Sequence, residues 1–542
     1  MLIAPLLLAL APQTPATAAS ALADLVPKNT VAFFQAPSLE RAASCIGRLS
    51  AAFEPSHAEE LDAEALMALA EIPGAASTVD SARPIGVCLV LGEGAEATPL
   101  PVFLVPVRDA DGYLKSVEQP GSPMKGVARG GYVCVGMGAA PELPTAPAAI
   151  AQGLLPGDLS VRIDLGRMIE QFRDPIEEGL NEMESEVAAA GAVSGGIDPT
   201  AVFGAYADFL RDVIDSAETL DLGLRLEGED VELGIAYANA EGSALAAIGS
   251  KEKTGLRALA PLLDTESGMS MLMGMNGAEL VKHFQPLLDS MSAAYPEALR
   301  PAMQGMLSRM SELYGYMGSA QAGSMDFTAT GMRYRIYSRG GDPAKLVHAY
   351  RSIAGSVPGC SATEVPQREV AGVKVDGVLF KFDAAALSKL AGGREKPELT
   401  EPEFEKLIEK LFGKDGLLIQ VATKDGTGLM LVGGDDEYLS ASLARVSAKG
   451  PQPAFLARAL AQVGDLNPCV IVRYDLGRML DGMKGIMGDV MTMTAFNLPA
   501  ISLATTFWGG VDGRVWRGAL ALNLTELAAL GRIDEPAPAA PK

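Results

Sequence analysis

The sequence predicts an α+β protein of about five tandem βαββα units, of the ferredoxin-like, split-βαβ type, with antiparallel hairpins and helices packed on sheet faces. Three observations predict it. The octapeptide VRIDLGRM at Val161–Met168 returns as VRYDLGRM at Val472–Met479, changed only where Ile163 becomes Tyr474. An apolar or alternating run followed by a helix-capping residue and an amphipathic pattern occurs five times. After each such joint come two alternating runs around a Gly/Asp turn, the mark of a hairpin.

Taken in order, the joint strands are Val31–Ala36, Leu159–Ile163, Met269–Met275, Val378–Phe382 and Cys469–Tyr474, and their caps are Ser38, Asp164, Asn276, Asp383 and Asp475. Ser, Asp and Asn suit this position because a side-chain oxygen can accept from the unpaired amides of a first helical turn. The hairpins are Ile85–Leu91 with Val102–Val107, Leu220–Leu226 with Val231–Ala238, Ser324–Tyr337 around Gly331, Leu417–Thr423 with Leu429–Val432, and Ser502–Trp508 with Val515–Leu522. Second helices open at Asp342-Pro343, at Asp435 or Asp436, and at Asn523 with Glu526, the last a capping-box pair. In the first unit a closing strand, Tyr132–Met137, completes a βαββαβ order. The long helical stretches 165–219 and 277–316 break near Gly191–Pro199 and Pro296. Pro/Gly-rich joints at 141–156, 249–261, 355–366 and 450–453 set the boundaries. The units are 24–150, 151–255, 256–357, 358–450 and 451–533, before a tail, 534–542, whose composition reads as disordered.

Composition narrows the function classes. A length of 542 residues exceeds one ordinary core, and 48% hydrophobic against 20% charged residues excludes a wholly disordered chain. The formal charge of −23 argues against phosphate-backbone binding, which needs a basic surface. Residues 1–23 read as a signal peptide: Leu2–Ala11 is a short apolar run, followed by Ala16-Thr17-Ala18 and Ala21-Leu22-Ala23 as cleavage sites. No Lys or Arg precedes the apolar run, and no other uncharged apolar run reaches 18 residues. The expectation is an exported chain, periplasmic or extracellular, without a transmembrane span once processed. The five cysteines lack CxxC spacing; Cys88 and Cys134, in strands of one unit, are the pair placed to meet, although buried free thiols are the commoner outcome.

Within the repeated joint, Arg162 and Arg473 alternate against their strand neighbours, while Arg167 and Arg478 fall in the first turn of a helix. An anion site over the helix N-terminus is one reading. The preferred reading is structural, with the arginines bridging to the cap aspartates Asp164 and Asp475 or to nearby carboxylates, since an arginine there opposes the helix dipole. Met269, Met271, Met273 and Met275 line one face of a strand, and Met479, Met483, Met487 and Met491 form an i+4 stripe. Met303, Met306 and Met310 repeat the stripe elsewhere. Core packing produces such spacing and is preferred, ahead of an apolar ligand surface and of Cu(I) held by thioethers.

Nothing in the sequence assigns catalytic, cofactor-binding or metal residues. His57, His283 and His348 are the only histidines and show no metal spacing; GxSxG and Walker motifs are absent. Asp425-Gly426-Thr427-Gly428 lies in a hairpin turn, and Glu59-Glu60, Glu177-Glu178 and Asp435-Asp436 read as solvated faces or caps.

The stretch Leu25–Leu49, LVPKNTVAFFQAPSLERAASCIGRL, carries a Pro-x-[Asp/Asn]-Thr strand at Pro27, Asn29 and Thr30 and a Pro-x-Leu helix start at Pro37 and Leu39. In this it resembles uncharacterised exported bacterial proteins that open this way after a signal peptide. The resemblance implies export and repeated α+β architecture and no catalytic residue. Together these readings lead to an exported, non-enzymatic binding or scaffold protein of the bacterial envelope, acting on an envelope protein or a hydrophobic ligand and not on nucleic acid. The alternatives are a periplasmic carrier of lipid on Met-lined faces and a hydrolase with carboxylate catalysis.

Overall fold

The computed structural model describes residues 22–53, 61–92, 98–190, 199–243, 246, 255–264, 266–275, 277–293, 300–328, 331–355, 359–383, 401–448, 452–463, 467–487 and 503–531. The chain is α+β, and the strand pairs described below are all antiparallel. It begins with β1 (Thr30–Ala36), α1 (Leu39–Phe53), α2 (Ala63–Leu69), β2 (Ile85–Val90), β3 (Leu100–Pro106), α3 (Ala110–Val117), β4 (Met124–Arg129) and β5 (Tyr132–Met137). Next come β6 (Leu159–Asp164), α4 (Leu165–Gln171), α5 (Arg173–Ala190), α6 (Pro199–Ser216), β7 (Ala217–Glu227) and β8 (Asp230–Asn239). The middle of the chain supplies β9 (Met269–Gly274), α7 (Gly277–Ala293), α8 (Arg300–Met317), β10 (Ala320–Thr328), β11 (Gly331–Arg339) and α9 (Pro343–Ala354). Then follow β12 (Cys360–Val370), β13 (Val373–Phe382), α10 (Glu401–Phe412), β14 (Leu417–Lys424), β15 (Thr427–Val432) and α11 (Asp436–Ser447). The last elements are α12 (Ala454–Val463), β16 (Cys469–Asp475), α13 (Leu476–Met487), β17 (Ala504–Asp512), β18 (Val515–Asn523) and α14 (Leu524–Gly531).

One rule recurs along this order. A strand leads into helix, and the strand after the helix returns antiparallel beside the first: β1 with β2, β6 with β7, β9 with β10, β13 with β14 and β16 with β17. A ferredoxin-like, split-βαβ unit instead needs a parallel pair straddling a third strand. No such pair exists among the described strands, which return antiparallel instead, and among the described residues no complete α-helix stands between β8 and β9 where the second βαββα unit would close.

Compact packing divides the chain into two units. The first comprises 1–172, 217–238 and 517–542, the second 173–216 and 239–516. In the first, strands follow the order β7–β6–β1–β2–β3–β5–β4. One sheet face buries Ile85, Phe103, Val105, Val133 and Val135 under Leu39, Ala43 and Leu66 of α1 and α2 and Tyr113 and Val117 of α3. The other buries Phe33, Cys88, Val102, Leu104 and Cys134 against Leu22, Leu25 and Val26. Leu22 and Ala23 are core residues here, 0% and 3% exposed. Helices α1 and α14 enclose a third cluster, in which Cys45 and Ala52 meet Leu524 and Ala528.

The second unit runs β17–β16–β9–β10–β11–β15–β14–β13–β12. Its core packs Leu346, Val347 and Ala354 of α9 on Ile336, Val378, Ile419, Val421 and Met430. Strand β12 crosses the stretch 355–366 read from sequence as a boundary. Pro366 is tolerated because β12 has no described partner beyond β13, and its ladder is irregular between Val365 and Arg368, where a missing amide costs nothing. Strand β4 was also hidden, since MKGVAR lacks an apolar alternation.

Cys88 and Cys134 are free. Strand β3 lies between their strands, and two strand spacings, about 9–10 Å, exceed the Cα span of about 7 Å that a disulfide bridges. Burial pushes both thiols upward, Cys134 to about 12.

Candidate functional site

Both copies of the octapeptide form the same joint. The Asp164 carboxylate accepts from the Arg167 amide at 3.0 Å, and the Asp475 carboxylate accepts from the Arg478 amide at 3.0 Å. A third joint does likewise: Ser38 Oγ accepts from the Arg41 amide at 3.0 Å. All three read cap-Leu-x-Arg, as Ser38-Leu39-Glu40-Arg41 shows, a signal short enough to be missed beside the octapeptide. Among the other caps, Asp342, Asp435 and Asn523 each hold a first-turn amide as the sequence predicts. Asn276, and the helix expected after Asp383, lie outside the described residues.

An arginine in a helix's first turn needs a partner, and each of these finds one. Arg41 is paired with the buried Asp158. Arg167 donates to the Lys28 and Thr30 carbonyls, 3.2 and 3.4 Å away. Arg478 Nε donates to Asp326 at 3.0 Å, and Asp326 also accepts from the Gly268 amide at 2.8 Å. The strand arginines differ between copies. Arg162 grips Asp221, directly opposite on β7, through Nε at 2.5 Å and Nη2 at 2.7 Å. Arg473 faces Thr506 and Ser270 instead and lies 5.2 Å over the Phe455 ring. Arg41, Arg162 and Arg478 thus meet the carboxylates Asp158, Asp221 and Asp326, and Arg167 meets backbone carbonyls.

The joint strands occupy equivalent places. Strand β6 lies between β1 and β7, and β16 lies between β9 and β17, giving the orders β2–β1–β6–β7 and β10–β9–β16–β17. On the face opposite the arginines, Val161 is flanked by Phe34 and Leu222, and its counterpart Val472 by Met271 and Phe507. Helices cover neighbouring parts of these sheets but leave the rows open: Phe34, Leu222 and Phe507 are 39%, 40% and 41% exposed. Tyr474, one step along β16, is 42% exposed. Sequence alone does not reveal these rows, because pairing partners separated by 35 to 200 positions fix them. The face was in view only where alternation marked it, at the methionines.

Those methionines sit on the open side. In β9 the buried residues are Ser270, Leu272 and Gly274, while Met269, Met271 and Met273 are half-buried, as is Met275 just beyond. On α13, Met479 is half-buried and Met483 exposed. Met487 ends that helix without a described side chain, and Met491 lies outside the described residues. The strand and helix spacing is real, yet it marks a partly covered surface rather than core. The opposite face of this sheet holds a polar row instead. Ser270, Ser324 and Arg335 align across β9, β10 and β11; Arg335 pairs with Asp264, whose amide donates to Ser324 Oγ at 3.1 Å.

A cavity of about 580 Å³ beside α5 is lined by Asp174, Glu177, Glu178, Asn181 and Glu182, all polar. Among the described residues two carboxyls are shifted, and both downward: Asp342 by Lys345 and Asp436 by Arg368. No cluster of His, Cys, Asp or Glu suited to a metal ion occurs among the described residues. No helix among them is long and apolar enough to cross a membrane.

No protein-family model and no curated protein matches the chain. Among solved structures it is similar to TP0453 in crystal form III, with 10% identity over 52% of this chain and 98% of that one and a TM-score of 0.23. Crystal form IV of TP0453 gives 11% identity, 52% and 96% coverage and a TM-score of 0.23. Scores this low carry no argument about fold or function.

Proposed function

We propose that the chain is an exported, non-enzymatic binding or scaffold protein of the bacterial envelope that seats an apolar partner on the open rows beside the repeated joint. The observation that carries the reading is the recurrence of one half-open apolar row, Phe34–Val161–Leu222 and Met271–Val472–Phe507, at equivalent places in both units. A side chain such as Phe507 left two-fifths exposed forgoes about 1–2 kcal/mol of burial, which a partner recovers on binding. Five antiparallel strand–helix–strand returns that share one pairing rule support a repeated scaffold for such rows. Processing after Ala18, rather than after Ala23, suits this reading, because Leu22 and Ala23 fill the core.

The lipid-carrier reading shares these rows. It differs in needing a ligand that travels with the chain. The hydrolase reading needs acidic residues with shifted pKa values converging in a cleft, whereas Asp342 and Asp436 are helix-start carboxylates whose side chains reach solvent, lowered by Lys345 and Arg368. The test is site-specific photo-crosslinking in the native envelope from Leu222 and from Phe507, with exposed Tyr206 on α6 as the control. A discrete protein adduct at both rows and none at Tyr206 supports the scaffold. Adducts of lipid mass favour the carrier, and no adduct at either row overturns both.

A further inference from the structure

The methionines of the second unit are placed for a chemistry that apolar docking does not require. Met269 on β9 and Met325 on β10 are directly opposed and point to the same face. Met271 follows two residues along, and its cross-strand partner is Gly323, which offers no side chain to cover it. All three methionines are half-buried, so their sulfurs are neither sealed in a core nor free in solvent. The face carries aromatic rings on both sides. Tyr334, paired with Met325, lays its ring 3.4 Å from where a Cβ on Gly323 would sit, and Tyr474 is paired with Met269 across β16.

We propose that Met269, Met271 and Met325 form a thioether site for Cu(I). Directly opposed Cβ atoms lie about 5 Å apart and diagonal neighbours about 7–8 Å, and each sulfur ends a chain of three rotatable bonds, so the three converge without backbone movement. Thioethers are neutral, soft ligands that select Cu(I) over hard divalent ions. A singly charged cation held by neutral sulfurs keeps its charge, and Tyr334 and Tyr474 are the cross-strand neighbours of Met325 and Met269. A net charge of −23 favours approach of any cation. Binding is simple coordination, with no change of oxidation state. The proposal goes beyond the partner rows: Met269 and Met325 belong to neither row, while Met271 is shared with the row Met271–Val472–Phe507.

The test is an anaerobic titration of the full chain with Cu(I) against a chromophoric Cu(I) chelator, with methyl-labelled methionine NMR alongside. The expected result is one equivalent bound, with shifts confined to the Met269, Met271 and Met325 methyl groups and their neighbours. Met269→Leu combined with Met325→Leu keeps volume and apolarity and is expected to weaken binding at least tenfold. Cys360→Ser, which alters the one cysteine that is not buried, is expected to leave binding unchanged. No competition with the chelator, an unaltered affinity in the double variant, or shifts at other methionines overturns the proposal. Should the double variant fail to fold, the methyl shifts of the unmodified chain decide alone.

Discussion

Arg162 and Asp221 form a forked, half-buried ion pair across β6 and β7, with side chains 15% and 7% exposed. The Arg162 guanidinium also donates to the Gln152 and Gly153 carbonyls, tying the loop before β6 to the sheet. Removing one partner strands the other charge in a place water barely reaches, at a cost of about 3–5 kcal/mol. Arg162→Ala is therefore expected to lower the denaturant midpoint of the first unit sharply. Arg473→Ala at the matching position, opposite Thr506 and Ser270 rather than a carboxylate, is expected to cost less. Equal losses would show that the pair is not what separates the two copies.

The caps give a finer comparison. Asp164→Ala and Asp475→Ala each remove a 3.0 Å bond to a first-turn amide, and each is expected to cost about 1 kcal/mol. Asn in place of either Asp should restore most of it, because the acceptor oxygen remains. Chemical denaturation of the four variants is the measurement.

Leu222→Ser and Phe507→Ser change side chains already two-fifths exposed. Stability is expected to fall by no more than about 2–3 kcal/mol, the worth of the covered part of each side chain, while fluorescence of a dye that reports apolar surface falls. A large loss of stability would mean that the rows belong to a core.

The buried thiols set an alkaline limit. Burial holds Cys88 and Cys134 above the ordinary value of 9.0, Cys134 at about 12. The folded state keeps these protons after the unfolded chain has released them, so their stabilisation is complete below pH 9 and declines as pH rises from there toward 12. Cys134→Ala is expected to flatten the pH dependence of stability in that window, read from urea midpoints at pH 8, 9, 10 and 11.

The buried Leu22 and Ala23 bear on maturation. N-terminal sequencing of the chain from its native envelope is expected to begin at Ala19, which retains both side chains among Leu25, Val26 and Phe33. A start at Asp24 would remove them and is expected to accompany a lower melting temperature than that of a chain beginning at Ala19.

Local chemistry made much of this fold legible. Strand β5 spans the predicted Tyr132–Met137, and the hairpin strands β7 with β8 and β14 with β15 lie within a few residues of prediction. Caps at Ser38, Asp164, Asp342, Asp435, Asp475 and Asn523 hold first-turn amides. Each of these signals is carried by residues a few positions apart. What stayed hidden depends on partners far along the chain. Antiparallel and split-βαβ pairing share one element order, and only contacts such as Phe34 with Val161 distinguish them. The methionine alternation of β9 shows which residues share a face, but not whether that face is covered, which the helices above it decide. Pro366 read as a boundary because an edge strand with an irregular ladder has no signature of its own in composition.

The joint strands also dictate an order of assembly. Strand β9 lies between β10, next in the chain after its helices, and β16, which begins at Cys469. During synthesis one side of β9 therefore pairs early, while the other presents bare amides and carbonyls until almost 200 further residues have emerged. The first unit likewise waits for residues from Arg517 onward. A nascent chain of this design carries open strand edges for most of its synthesis, the state in which mispairing with another chain competes with folding. The proposed export would remove that interval if the chain crossed unfolded and folded only after its last strand had passed.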